Sequence, residues 1–210
     1  MSMDFNRRPA TGNTATGATL TRMAQPSATP VTIEVATDPQ FAPEIAELAA
    51  ATFPLACPPH AQPEDIDDFI RANLDADTFT GYLAADTSDV LIARDADGAL
   101  IGYSLIHHRA PTDPDVAAVV TEQPVTEVSK MYVLPDHHAA GRTSSPARLL
   151  MEAAIDRART RGSVLVWLGV NEENVRAQRF YAKMGFGRVG EKTFTLGDSV
   201  EHDYVLTRPF

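Results

Sequence analysis

Residues 170–186, V-N-E-E-N-V-R-A-Q-R-F-Y-A-K-M-G-F, impose the tightest constraint on what this chain can fold into. The preceding run, 164–170, is apolar except for Gly169, the pattern of a strand covered on both faces. It leads straight into a helical pattern in which Ala177, Phe180, Tyr181 and Met184 recur at i, i+3, i+4 and i+7 and so share one face. Gly185 supplies a helix stop just before Phe186. A buried strand followed at once by an amphipathic helix requires a sheet for the strand and a second layer for the helix to cover.

The rest of the chain supplies that sheet. Residues 31–35 read as a strand, and 38–51 as a helix with Phe41, Ile45, Leu48 and Ala49 on one face. A proline-rich stretch precedes a helix at 63–74, whose Glu64, Asp65, Asp67 and Asp68 lie near its start, where negative charge is favoured. A third helical turn is expected over 80–85. Strands at 90–94 and 99–108 flank D-A-D-G, a hairpin turn with Gly98 at positive φ. After a loop at 110–124, residues 126–134 form another strand. Helix 146–161 is capped by Ser145 and ended by Gly162. A closing hairpin turns around Gly197 and Asp198. This order predicts an α/β domain with a mixed sheet over residues 31–210. Residues 1–30, rich in Thr, Ala, Ser, Gly and Pro, predict a disordered arm.

Composition removes several function classes. At 210 residues and 44% apolar content the chain suits one domain with a sizeable core. Cys57 stands alone, so an intrachain disulfide framework or thiolate zinc site is excluded. There is no apolar run of membrane-spanning length and no apolar leader at the start, which gives a cytoplasmic expectation with no membrane partner. With 28 acidic against 18 basic residues the net charge is -10, which disfavours nucleic acid and favours cationic substrates.

The spacing N-x-x-A-x-x-F-Y-x-K-x-G-F, from Asn174 to Phe186, resembles the second signature segment of the Gcn5-related N-acetyltransferase (GNAT) superfamily. The resemblance implies a mixed, mostly antiparallel central sheet with a splayed parallel strand pair, flanked by helices. It implies acetyl-CoA as co-substrate, with no metal, and a small-molecule amine as acceptor. A homodimer is one assembly it allows. The closing segment, with Phe194, Gly197, Asp198 and Asp203 in the pattern F-x-x-G-D-x-x-x-x-D, is similar to that of bacterial polyamine (spermidine/spermine) acetyltransferases. The segment beginning T-F-P-L resembles their substrate-side helices, which makes Phe53 a candidate substrate contact.

Carried onto this chain, the resemblance gives each residue a role beside which a plain structural one stands. Asn174 would contact the pantetheine arm, or serve near the helix start, where Asn171 is the better cap by position. Tyr181 would protonate the departing thiolate, or be a core aromatic. Glu127 would take the proton of the amine, sharing a face with Met131 and Val133 by alternation, or be a solvated strand-end carboxylate. Met131, Tyr132, Val133 and Leu134 would line the cofactor, with free backbone groups at Val133 and Leu134 for the pantetheine arm and the oxyanion. His138, Gly141, Arg142, Thr143, Ser144 and Ser145 would hold pyrophosphate at a helix start, although His138 and Thr143 depart from the Q/R-x-x-G-x-G/A loop pattern and the loop is longer than usual. An ordinary polar loop is the other reading. Asp203 would hold a cationic amine, or be an edge charge. His107, His108 and His137 lack a correctly spaced third metal ligand.

The function expected is acetyl-CoA-dependent N-acetylation of a primary amine by direct attack, a small cationic amine or polyamine being favoured. The altered loop motivates a second possibility, a GNAT-like module that senses acyl-CoA or binds a protein without turnover.

Overall fold

The computed structural model describes residues 30–137 and 145–210. The arm expected over 1–30, apart from Pro30, and the loop residues His138, Gly141, Arg142, Thr143 and Ser144 lie outside them. Seven strands form one sheet: β1 (Thr32–Ala36), β2 (Ser88–Arg94), β3 (Leu100–His107), β4 (Val125–Val133), β5 (Leu165–Asn171), β6 (Gly187–Leu196) and β7 (Ser199–Pro209). Their order is β1-β2-β3-β4-β5-β7-β6, and every neighbouring pair is antiparallel except β4 and β5. Six α-helices accompany them among the described residues: α1 (Ala42–Thr52), α2 (Pro63–Asn73), α3 (Ala76–Ala84), α4 (Pro114–Val119), α5 (Pro146–Thr160) and α6 (Val175–Lys183).

The two faces of the sheet are covered by different helices. On one, Leu150, Met151, Ala154, Ile155 and Ala158 of α5 pack on Leu91, Ile106, Val128 and Leu168, with the α6 face of Ala177, Phe180, Tyr181 and Met184 beside them. On the other, Ile45, Leu48 and Ala49 of α1 and Phe79 of α3 pack on Val90, Ile92, Tyr103 and Leu105. Burying a Leu or Ile side chain contributes roughly 1.5–3 kcal/mol, so these layers hold the sheet from both sides. Helix α4 closes a smaller cluster of Val116, Val120, Val125, Leu165, Trp167 and Val205.

Two helices differ from the sequence reading. Helix α3 starts at Ala76 rather than near Thr80, because the Asp75 side chain accepts from the Thr78 amide and fixes the first turn. Helix α4 lies inside the stretch expected to be loop; Asp113 accepts from the amides of Asp115 and Val116, and Pro114 occupies the first helical turn.

Two irregularities interrupt the regular pairing of the sheet. Strands β4 and β5 pair over only three positions, Val125 with Leu165, Thr126 with Val166 and Glu127 with Trp167. Beyond Glu127 the two strands have no ladder between them, so a wedge opens toward their C-terminal ends. Strand β4 also carries a bulge: Leu105 of β3 faces Lys130 whereas Ile106 faces Val128, which leaves Ser129 as an extra residue. A bulge shifts the two-residue alternation by one.

Candidate active site

The wedge contains a cavity of about 500 Å3, within the range of small-ligand sites. Strand β4 forms one wall and β5 with α6 the other. The β6–β7 hairpin and the turn at Phe53–Leu55 close the far side.

Glu127 sits where the β4–β5 ladder ends and lines the cavity. The bulge corrects its expected company. Cross-strand partners lie on the same side of a sheet, so Glu127, Lys130 and Tyr132, opposite His107, Leu105 and Tyr103, occupy one face. Val128, Met131 and Val133, opposite Ile106, Ser104 and Gly102, occupy the other. Core membership agrees: Tyr132 packs with the α1–α3 side, and Val128, Met131 and Val133 with the α5 side. Glu127 therefore does not share a face with Met131 and Val133. Nor is it a solvated strand end, since burial raises its pKa against the opposing charges of Lys130, Arg109 and Lys192. In return, burial lowers the pKa of Lys130, which Glu127 partly restores.

Tyr181 stands across the wedge on α6, half-buried, its ring 6.0 Å from that of Phe186. Burial pushes its pKa up to about 12, so the phenol keeps its proton at neutral pH. Tyr132 is driven further above the ordinary phenol range by burial and by the nearby Tyr181, Cys57 and Asp203. Those four side chains therefore meet around one point of the cavity.

Asn174 is the N-cap of α6, its Oδ1 accepting from the Ala177 amide at 3.0 Å. This reverses the preference for Asn171 as cap; the Asn171 Oδ1 instead accepts from the Glu173 amide one turn earlier. Because Oδ1 of Asn174 is held, its Nδ2 donor remains, on a residue that lines the cavity. The other end of the helix is also fixed by sequence. Gly185 has φ 87°, the Phe186 amide donates to Tyr181 O and the Gly185 amide to Ala182 O, a Schellman cap.

The remaining expectations fall out unevenly. Leu134 is engaged locally, its amide donating to Ile101 O and its carbonyl accepting from His137, so its backbone is not free as expected. Ser145 caps α5, with Oγ accepting from the Arg148 amide. Phe53 lines the cavity and stacks on Phe69, ring centroids 4.6 Å apart. Asp203 is no edge charge: β7 has neighbours on both sides, and Asp203 pairs with Lys192 at 3.3 Å over the bare backbone of Gly169. His107 and His108 belong to buried networks instead. His107 bonds Ser88, and His108 joins Asp89 and Thr126. Glu201, which sequence reasoning misses, is buried against the cavity; its two-residue spacing from Asp203 is the signal that could have found it.

The profile of the acetyltransferase (GNAT) family matches residues 42–186. The chain belongs to the GNAT acetyltransferase family. An uncharacterized N-acetyltransferase of Mycobacterium tuberculosis is 43% identical over 165 residues, covering 79% of this chain and 95% of the relative. Among solved structures, the PaiA N-acetyltransferase of Thermoplasma acidophilum in complex with coenzyme A superposes with a TM-score of 0.65 at 17% identity, covering 85% of this chain and 99% of that one. The spermidine/spermine N-acetyltransferase SpeG of Vibrio cholerae gives 0.58 at 16% identity, over 85% and 93%. At such identities the structures speak for the fold: a GNAT sheet with one parallel pair, as found here. No helix among the described residues is long and apolar enough to cross a membrane.

Proposed function

We propose that this GNAT acetyltransferase transfers the acetyl group of acetyl-CoA to a primary amine of a small cationic acceptor by direct attack in the β4–β5 wedge. The observation that carries this reading is the placement of a buried carboxylate, Glu127, and a protonated phenol, Tyr181, in one cavity at the point where the β4–β5 ladder stops.

The residues present suit acetyl-CoA. The open wedge accepts an extended arm, and Asn174 offers Nδ2 beside it. The start of α5, capped by Ser145, presents amides and a positive dipole end for phosphate. Bound acetyl-CoA supplies a thioester carbonyl, at which the amine forms its C–N bond while the C–S bond breaks. Glu127, with its pKa raised, takes the proton that the ammonium must lose before attack. Tyr181 gives its proton to the leaving sulfur and regains one from solvent. The carboxylates of the cavity, Glu127, Glu201 and Asp203, support a cationic acceptor over a neutral one.

The test is thiol release on a panel of primary amines, with mass analysis of the products, for the wild type and Tyr181→Phe. The reading expects thiol and acetylated amine in equal amounts, and a fall in kcat of about 100-fold or more in the variant with acetyl-CoA affinity kept. Acetyl-CoA binding without thiol release on any amine would replace it with the acyl-CoA-sensing module.

A further inference from the structure

We infer that Glu201, with the phenylalanines around it, forms a subsite for a second cationic centre on the acceptor, so that the amine acetylated belongs to a diamine or polyamine. The inference rests on the acetyl-transfer reading and adds to it a specificity-determining residue.

The β6–β7 hairpin turns one face to the cavity. Along β6, Lys192 and Phe194 are half-buried and Leu196 is buried, while Glu191, Thr193 and Thr195 are exposed. The register sets Lys192 opposite Asp203 and Phe194 opposite Glu201, so these four side chains lie together, and all line the cavity. The two carboxylates differ in what they already hold. Asp203 has the Lys192 ammonium at 3.3 Å. Glu201 is only 7% exposed; its Oε1 receives Nε2 of His60 at 3.0 Å, and its Oε2 has no hydrogen bond or ion pair among the described residues. An imidazole donor leaves the carboxylate charge in place unless it is itself protonated. A carboxylate buried to this extent with half its acceptors idle is costly without a partner.

The surroundings specify that partner. Phe69 stacks on Phe53 at 4.6 Å and meets Phe194 edge-on at 5.6 Å, so Glu201 stands beside a wall of aromatic rings. Rings attract cations and pack against methylene chains, and a carboxylate pairs with an ammonium. Together they suit an alkylammonium. The negative charge of Glu201 is felt by its neighbours: after burial itself, it is what pushes the Cys57 thiol up to about 11. An anionic acceptor group finds no comparable place, because Lys192 is committed to Asp203 and Lys130 lies within the field of Glu127.

The experiment compares kcat/KM for 1,4-diaminobutane and n-butylamine, which differ in the second ammonium alone, in the wild type and in Glu201→Gln. The glutamine keeps an acceptor oxygen for His60. The wild type is expected to favour the diamine by about tenfold or more, as a charge-assisted contact of roughly 1.5–3 kcal/mol requires. Glu201→Gln is expected to remove most of that ratio through KM for the diamine. Equal wild-type values for the two amines, or a preference that survives in the variant, overturns the inference while leaving acetyl transfer intact. Failure of the wild type to acetylate any amine removes the acetyl-transfer reading itself, and the subsite with it.

Discussion

Asn174 combines a structural duty with a chemical one in a single amide. Its Oδ1 starts α6 by accepting from Ala177, and that bond aims Nδ2 at the wedge. Two substitutions separate the duties. Asn174→Ala removes both and costs about 1 kcal/mol of stability from the cap alone. Asn174→Asp keeps the cap and loses the donor, so calorimetry is expected to show native-like unfolding but weakened acetyl-CoA binding. Retained affinity in Asn174→Asp would reduce Asn174 to a cap. Glu127 is tested through pH. It accepts a proton only when ionised, so kcat/KM rises with pH through its pKa, and because burial raises that pKa the rise lies above the ordinary carboxylate range. Glu127→Gln is expected to lose this acid limb along with about 100-fold or more in rate. A limb that persists in the variant assigns the proton to another group.

At the scale of elements, what the sequence reveals depends on whether the signal is local. Helix α6 is legible because cap, apolar face and Gly185 stop all lie within one short window. The two-face burial of β5 is legible from its apolar run. The β4 bulge is not, because it arises from pairing with β3, and it alone reverses the face of Glu127 relative to Met131 and Val133. Helix α4 carries a readable Asp113-Pro114 start but is only six residues long, and its formation depends on burying Val116 against Val125 and Trp167. Likewise, the pairing of β7 between β5 and β6 decides that Asp203 is interior, a fact of strand order rather than of spacing.

The ends of β2 and β3 carry a pH dependence of their own. Burial, helped by the charges of Arg109, Lys130 and His108, lowers the pKa of His107 from 6.5 to about 4. Between those values the unfolded chain binds a proton that the folded one does not, so the stability contribution is complete above about pH 6.5 and is lost as pH falls toward 4. The full loss is on the order of 3 kcal/mol. Asp89 adds to acid sensitivity at lower pH: burial would raise its pKa, but the hydrogen bonds from Arg157 and His108 outweigh it and hold it low. Denaturant unfolding at pH 7 and pH 5 is expected to show the wild type weakening on acidification, and His107→Asn weakening less. Equal slopes in the two proteins would contradict the assignment.

At the scale of the whole molecule, the sheet is rigid where its ladders are complete and covered on both faces, and it opens at a single parallel junction. That junction brings residues from β4, β5, α6, β6 and β7 to one cavity, which no individual segment of the chain could build. The net charge of -10 acts across the same scale, drawing cations toward a cavity already lined by Glu127, Glu201 and Asp203. The central claim is that this wedge takes acetyl-CoA, and thermal unfolding with and without it, with desulfo-CoA beside it, tests the claim most directly. At a concentration about 100 times the dissociation constant, a ligand of the native state adds about 2.7 kcal/mol, which for a chain of this length raises the midpoint by about 5–10 °C. A rise of that size with both ligands is the predicted result. An unchanged midpoint at millimolar acetyl-CoA would contradict it.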